Sequence, residues 1–237
     1  NGLAFAAPTV DLDALRGWKQ SVVDRLTGGL SGLAKQRKVT TVVGTGKFTS
    51  PNMVEVTADD GSTSTVSFEQ AIIAAGSEPV TLPFVPHDDP RVINSAGALE
   101  LDGIPERLLI LGGGIIGLEM ATVYYELGSK VSVVELLDQL IPGADADLVK
   151  PLTRWLSKRY QDIWVKTKVT NVAAGPDGLT VSFEGGAGKN KAPATEVFDK
   201  GATAYGLLGT FMAVGSLTGS LLAASRVQVR HRLVVGA

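Results

Sequence analysis

The sequence predicts an α/β fold: Rossmann-like strand–helix–strand units with a β-meander, plus an apolar helix near the C-terminal end. Three observations predict it. In "LLILGGGIIGLEMATVYYELGSKVSVVEL", Leu108–Leu136, three glycines follow an apolar strand, a helical segment follows them, and a second apolar strand ends at Glu135. Between residues 38 and 77, short β-rich stretches alternate with glycine and Asp-Asp-Gly turns. From Ala202 to Ser225 there is no charged residue.

The elements follow in order. Leu15, Val22, Leu26, Leu30 and Leu33 recur at roughly helical spacing and predict a helix over Leu12–Lys35. "KVTTVVGTGKF", "NMVEVTA", "STVSF" and "QAIIAAGS" read as strands. Leu82–Glu106 is a proline-rich connector of the kind that joins domains. Leu108–Leu111 is the next strand. A helix fits Ile115–Leu127, stopped by Gly128. Val131–Glu135 is a strand. Asp147–Tyr160 reads as a helix that Pro151 must kink, unless Pro151 lies near its first turn. Ile163–Thr167 and Val169–Phe183 read as further strands.

Composition excludes several functions. The 237 residues carry a formal net charge of -2, so no broad basic surface for nucleic acid is expected. There are no cysteines, which excludes disulfides, thiolate zinc sites and thiol redox chemistry within these residues. The opening "NGLAFAAPTV" starts at Asn1 and lacks the basic flank of a signal peptide, so an interior fragment is expected.

Gly112, Gly114 and Gly117 spell G-x-G-x-x-G between a strand and a helix. The first glycine permits the tight turn, the second lets a pyrophosphate approach the backbone, and the third lets helix and strand pack closely. The helix amino end offers unpaired N–H groups and partial positive charge to the phosphate. Glu135 ends the second strand about 20 residues on, where an acid accepts hydrogen bonds from an adenosine ribose. Its charge repels a 2′-phosphate, and no arginine adjoins it, so NAD is favoured over NADP. A glycine-rich turn alone also makes a tight corner; here strand, helix, second strand and acid agree.

These residues resemble a family. "IPERLLILGGGIIGLEMATVYYELGSKVSVVELLDQLIPGADADLVK" is similar to the NAD domain of the dihydrolipoyl dehydrogenases, flavoprotein pyridine nucleotide-disulfide oxidoreductases. The resemblance extends back through "DRLTGGLSGLAKQRKV", "GTGKF" and "FEQAIIAAGSEPVTLPFVPHDDPRVINSAGALEL". It extends forward through "TKVTNVAAGPDGLTVSFEG" to about Asp199. It implies a partial FAD-binding domain over 1–100 and an NAD-binding Rossmann-like domain over 101–199 that lacks its closing strand. Gly46, Ala74, Ala75 and Gly76 match positions beside FAD. Gly112, Gly113, Gly114, Ile115, Ile116 and Gly117 match the loop around NAD, with Glu119 in the family's variant of the motif. Glu135 matches the ribose acid, and Val169 a position lining the adenine end. Read without the resemblance, Gly46 and Gly76 are equally turn glycines, and Val169 is a core residue.

The resemblance also implies a cytoplasmic oxidoreductase that passes electrons from dihydrolipoamide through a cysteine pair and FAD to NAD. In the family it works as a homodimer within a 2-oxoacid dehydrogenase complex. The chain departs from the pattern. It has no cysteine pair, no first FAD unit with its own glycine loop, no later Gly-Asp FAD segment and no interface domain with a His-Glu base. His87 and His231 read as surface residues, so no catalytic residue is assigned and the chain alone is expected to be inactive. Glutathione, mercuric and transhydrogenase relatives share the architecture; "GGGIIGLEM" and Glu135 favour the dihydrolipoyl type.

After Asp199 the character changes. The uncharged stretch is long enough to span a membrane as a helix. Gly215 and Gly219 form G-x-x-x-G, and Arg226, Arg230 and Arg232 follow as a cytoplasmic flank would. Residues 200–237 therefore predict an apolar membrane-type helix, from about Ala204 to Ala224, and a basic tail resembling a segment of a major facilitator transporter. Membrane contact through 202–225 and a transporter fragment stand as the alternative to the oxidoreductase.

Overall fold

In the computed structural model the described residues are 2, 8–186, 195–198, 207–209 and 229–235. They fall into two compact units: Asn1–Arg16 with Glu78–Ala213, and Gly17–Ser77 with Val214–Ala237.

Helix α1 (Leu12–Gln36) begins where the Asp11 carboxylate accepts from the Ala14 N–H at 3.0 Å, as an N-cap does. None of its residues is buried. The smaller unit is a meander of β1 (Thr40–Ser50), β2 (Met53–Thr57) and β3 (Thr63–Ser67), each antiparallel to the next. Period-2 alternation aims Val54 and Val56 inward, and both are buried. The expected strand at "QAIIAAGS" is absent: residues 71–82 join no sheet, and Ile72 is 95% exposed. Five apolar residues in a row, as in Ala71–Ala75, make a strand only between neighbours that cover both faces. Among the described residues nothing pairs with them.

In the larger unit β4 (Val92–Asn94) leads into α2 (Ser95–Glu100), capped where Asn94 Oδ1 accepts from the Gly97 N–H at 2.9 Å. Both lie inside the segment read as a plain connector. There follow β5 (Arg107–Leu111), α3 (Ile115–Glu126), β6 (Lys130–Val134), α4 (Ala146–Leu156) and β7 (Asp162–Trp164). Pro151 lies inside α4 and removes a donor from its second turn. An antiparallel sheet of β8 (Thr167–Gly175), β9 (Gly178–Gly185) and β10 (Thr195–Phe198) comes next.

The tail corrects the sequence reading. Leu207–Gly209 form β11, parallel to both β4 and β5. The five-stranded parallel sheet therefore runs β4-β11-β5-β6-β7. These three residues were expected inside a helix that leaves the sheet open. Instead they fill a slot whose neighbours present ladder donors and acceptors on both sides, and a buried backbone group must be paired. Val229–Val235 form β12, antiparallel to β1. Arg230 and Arg232, expected to flank a membrane, are strand residues there. The rest of the expected helix lies outside the described residues. No helix among the described residues is long and apolar enough to cross a membrane.

β5 and β6 are buried on both faces, which is why they read as nearly continuous apolar runs. On one face Leu108, Ile110, Val131 and Val133 pack with Leu118, Ala121 and Tyr124 of α3 and Val149 and Leu156 of α4. On the other, Leu109, Leu111, Val134 and Trp164 meet Val172, Leu179 and Val181 of the antiparallel sheet. At the start of β5, Arg107 pairs with Glu196 and lies 4.9 Å from the centre of the Phe198 ring. The glycine loop leaves the other end of the same strand.

Candidate nucleotide-binding site

The site is built where β5 and β6 end. β5 stops at Leu111, and Gly112 turns the chain with φ +105°, a conformation that a side chain resists. The Gly112 N–H donates to the Val134 carbonyl at 2.8 Å, tying the turn to the end of β6. Gly113 is buried, and a Cβ there would stand 2.5 Å from Leu140 Cδ2 and 3.2 Å from Glu135 Cβ. Glycine at this position answers to packing, not to dihedral angle.

Gly114 is the N-cap of α3 and has no side chain to cap it. The first-turn N–H groups therefore keep their donor capacity, and the helix dipole adds partial positive charge there. No acidic side chain lies in that turn. Ile115 and Ile116 are exposed beside it, whereas Gly117 is buried against the sheet, as the third glycine of the motif should be. Glu119 is exposed farther along α3.

Glu135 follows β6 and is buried, at 7% exposure. Its Oε2 accepts from the Gly113 N–H and its Oε1 from the Leu137 N–H, both at 2.8 Å. The Gly113 carbonyl in turn accepts from the Ile141 N–H at 2.8 Å. The structure thus gathers Gly112, Gly113, Gly114, Ile115, Ile116, Gly117 and Glu135 at one end of the parallel sheet. Uncapped helix donors beside a carboxylate suit a ligand with phosphates at one point and hydroxyls at another.

The remaining sequence-predicted residues lie elsewhere. Val169 is on β8 in the apolar core, opposite Phe183. Gly46, Ala75 and Gly76 belong to the smaller unit. Gly46 sits in β1 opposite Val56, and Ala75 and Gly76 lie in the segment that joins no sheet. His87 is exposed, with its Nε2 2.9 Å from the Leu82 carbonyl. Sequence reasoning missed Leu137, Leu140 and Ile141, which brace Gly113 and Glu135. Their only signal was an apolar "LLDQLI" directly after the acid. Two titratable groups elsewhere in the larger unit are perturbed: burial raises the Asp162 carboxyl, opposed by Arg107, and burial raises the Tyr160 hydroxyl, which is 3.1 Å from Thr122 Oγ1.

The chain is 55% identical to a dihydrolipoyl dehydrogenase of Vibrio cholerae over 185 residues, 78% of this chain and 38% of that protein. It is 52% identical to one of Vibrio parahaemolyticus over 207 residues, 87% of this chain and 42% of that protein. Its fold is similar to a copper(II) complex of a variant of RclA, an HOCl-induced flavoprotein disulfide reductase from Escherichia coli. That match has a TM-score of 0.70 and 25% identity, covering 88% of this chain and 44% of the other. LpdA from Mycobacterium tuberculosis gives a TM-score of 0.72 at 22% identity, covering 92% and 46%. The chain spans about two-fifths of the length of the curated relatives it matches. A family described as pyridine nucleotide-disulphide oxidoreductase matches residues 3–231, which takes in most of the tail that the sequence alone set apart as transporter-like. With its glycine loop, uncapped helix and buried acid in place, the chain belongs to the pyridine nucleotide-disulphide oxidoreductase family.

Proposed function

We propose that this chain carries the NAD-binding part of a dihydrolipoyl dehydrogenase and prefers NAD to NADP. The observation that supports it most is the uncapped first turn of α3 standing next to the buried Glu135 carboxylate. The helix end would receive the pyrophosphate, and Glu135 the adenosine ribose. A 2′-phosphate would meet a carboxylate there. Val169 enters this reading as an apolar wall position toward the adenine end. NAD, when bound, supplies a hydride acceptor; the loop residues bind and orient it.

The larger protein would oxidise dihydrolipoamide and pass electrons through FAD to NAD, as a cytoplasmic homodimer serving a 2-oxoacid dehydrogenase complex. Identities of 52–55% to dihydrolipoyl dehydrogenases favour this substrate over that of another disulfide reductase of the family. Gly46, Ala75 and Gly76 would lie beside the flavin. The sequence holds one G-x-G-x-x-G loop, which this reading gives to NAD.

Calorimetric titration tests the NAD reading. The chain should bind NAD more tightly than NADP. Gly117→Asp should abolish binding by forcing a charged side chain into the buried seam between α3 and the sheet, which displaces the loop. Glu135→Arg should move preference toward NADP. Equal affinity for both nucleotides, unchanged by either substitution, sinks the assignment.

A further inference from the structure

We infer that Glu135 is a clamp on the glycine loop: a positioning residue that sets the phosphate-facing backbone before any nucleotide arrives. The inference rests on the NAD reading above and adds a second task to the acid. A carboxylate serving only as a ribose acceptor needs no protein partners on its oxygens. This one has both oxygens engaged by backbone N–H groups, of Gly113 on one side and Leu137 on the other. It is buried, and a buried charge persists only when hydrogen-bonded. Bonds to a charged acceptor are about twice as strong as neutral ones. A single side chain therefore ties the turn after β5 to the turn after β6.

The surroundings hold the clamp itself. The Glu135 N–H donates to the Trp164 carbonyl at 2.8 Å, and the Glu135 carbonyl accepts from the Thr167 N–H at 3.0 Å. The Gly113 carbonyl accepts from the Ile141 N–H, and the Leu140 side chain stands where a Cβ of residue 113 would be. Both polar groups of the Gly113 backbone are thus spent within the protein. The phosphate is left to the first turn of α3. Each carboxylate oxygen keeps a second lone pair, so the clamp is compatible with a ribose contact.

The test uses the full 237-residue chain. Amide hydrogen exchange is followed by NMR without nucleotide, in the wild type, Glu135→Asp and Glu135→Gln, with Glu184→Ala as an exposed-carboxylate control. Asp is one methylene shorter, by about 1.5 Å, and cannot span both amides. Gln keeps one acceptor oxygen. The expected result is exchange at least tenfold faster at Gly113 or Leu137 in both variants. Ile110 and Val133 amides should stay protected, showing that the fold persists. Affinity for inorganic pyrophosphate, which has no ribose, should fall together with affinity for NAD. Unchanged exchange at both amides overturns the clamp, and so does a loss of NAD affinity with pyrophosphate affinity intact. A wild type that binds no NAD, with Gly113 released only in the variants, supports the clamp and overturns the NAD reading.

Discussion

The Arg91 guanidinium donates to the Gly175 carbonyl at 2.9 Å, joining the segment before β4 to the tip of the β8–β9 hairpin. The same guanidinium is held by Asp89, whose carboxylate accepts from Nε at 2.9 Å and from a terminal nitrogen at 2.7 Å. Both side chains are mostly buried. This bridge fixes a proline-rich stretch against a sheet.

Asp89→Asn should cost about 1 kcal/mol at neutral pH, since a partly screened charged hydrogen bond is lost. The bond from Arg91 holds the Asp89 carboxyl below its ordinary range. A depressed native pKa gives stability that is fully present above the unfolded value of about 3.9 and lost as pH falls through the native one. Denaturant unfolding of wild type and variant should therefore differ at pH 7 and converge near pH ~2. An equal gap at both pH values refutes the pair. Asp162 acts oppositely: burial raises it, so its ionisation removes stability as pH rises.

Gly113→Ala should destabilise the chain by about 1–3 kcal/mol, because the new methyl meets Leu140. Adding Leu140→Ala should return part of the affinity for NAD that the first substitution removes, though not the stability. A double-mutant cycle read by calorimetry checks this; strict additivity would mean the two sites do not touch.

Ser132 is 1% exposed on β6, and its hydroxyl has no hydrogen-bond partner among the described residues. Replacing it by Ala removes an unsatisfied buried donor. The expected gain is about 1 kcal/mol, or about 2–4 °C in Tm for a chain of this size. A fall in Tm would show that the hydroxyl has a partner.

Ending the chain after Asp199 should lower its soluble yield. A membrane-type helix in the tail would imply the reverse, since its removal would raise solubility. With β11 between β4 and β5, truncation opens the middle of a parallel sheet. Expression of both lengths decides it: a more soluble short chain would remove β11 from the fold.

The purified chain should make no NADH from dihydrolipoamide. It has no cysteine to take electrons from the dithiol. Steady NADH formation above a blank would overturn this.

What was legible in the sequence was local. Gly112, Gly114 and Gly117 announce their turn because glycine spacing and a neighbouring apolar strand are adjacent in the chain. Helix α1 was legible from its apolar spacing within one residue at its end. What was illegible depends on distant partners. Val92–Asn94 carries too few residues for a period and becomes a strand by pairing with Leu207–Gly209. Ile72 and Ile73 have a strand's composition but no ladder partner among the described residues. Glu135 was found through its spacing from the glycines; its grip on Gly113 needed coordinates, since no sequence pattern says which way a backbone N–H points.

The place of β11 also bears on synthesis. Its two neighbours leave the ribosome long before it does, with roughly one hundred residues between Leu111 and Gly209. At about 5–20 residues per second that interval lasts on the order of 5–20 s. Throughout it, β5 has one unpaired edge, an invitation to another nascent chain. Slow translation of the stretch after β7 should therefore favour aggregation on the ribosome, and a chaperone that shields strand edges should matter more for this chain than for one whose sheet is filled in order.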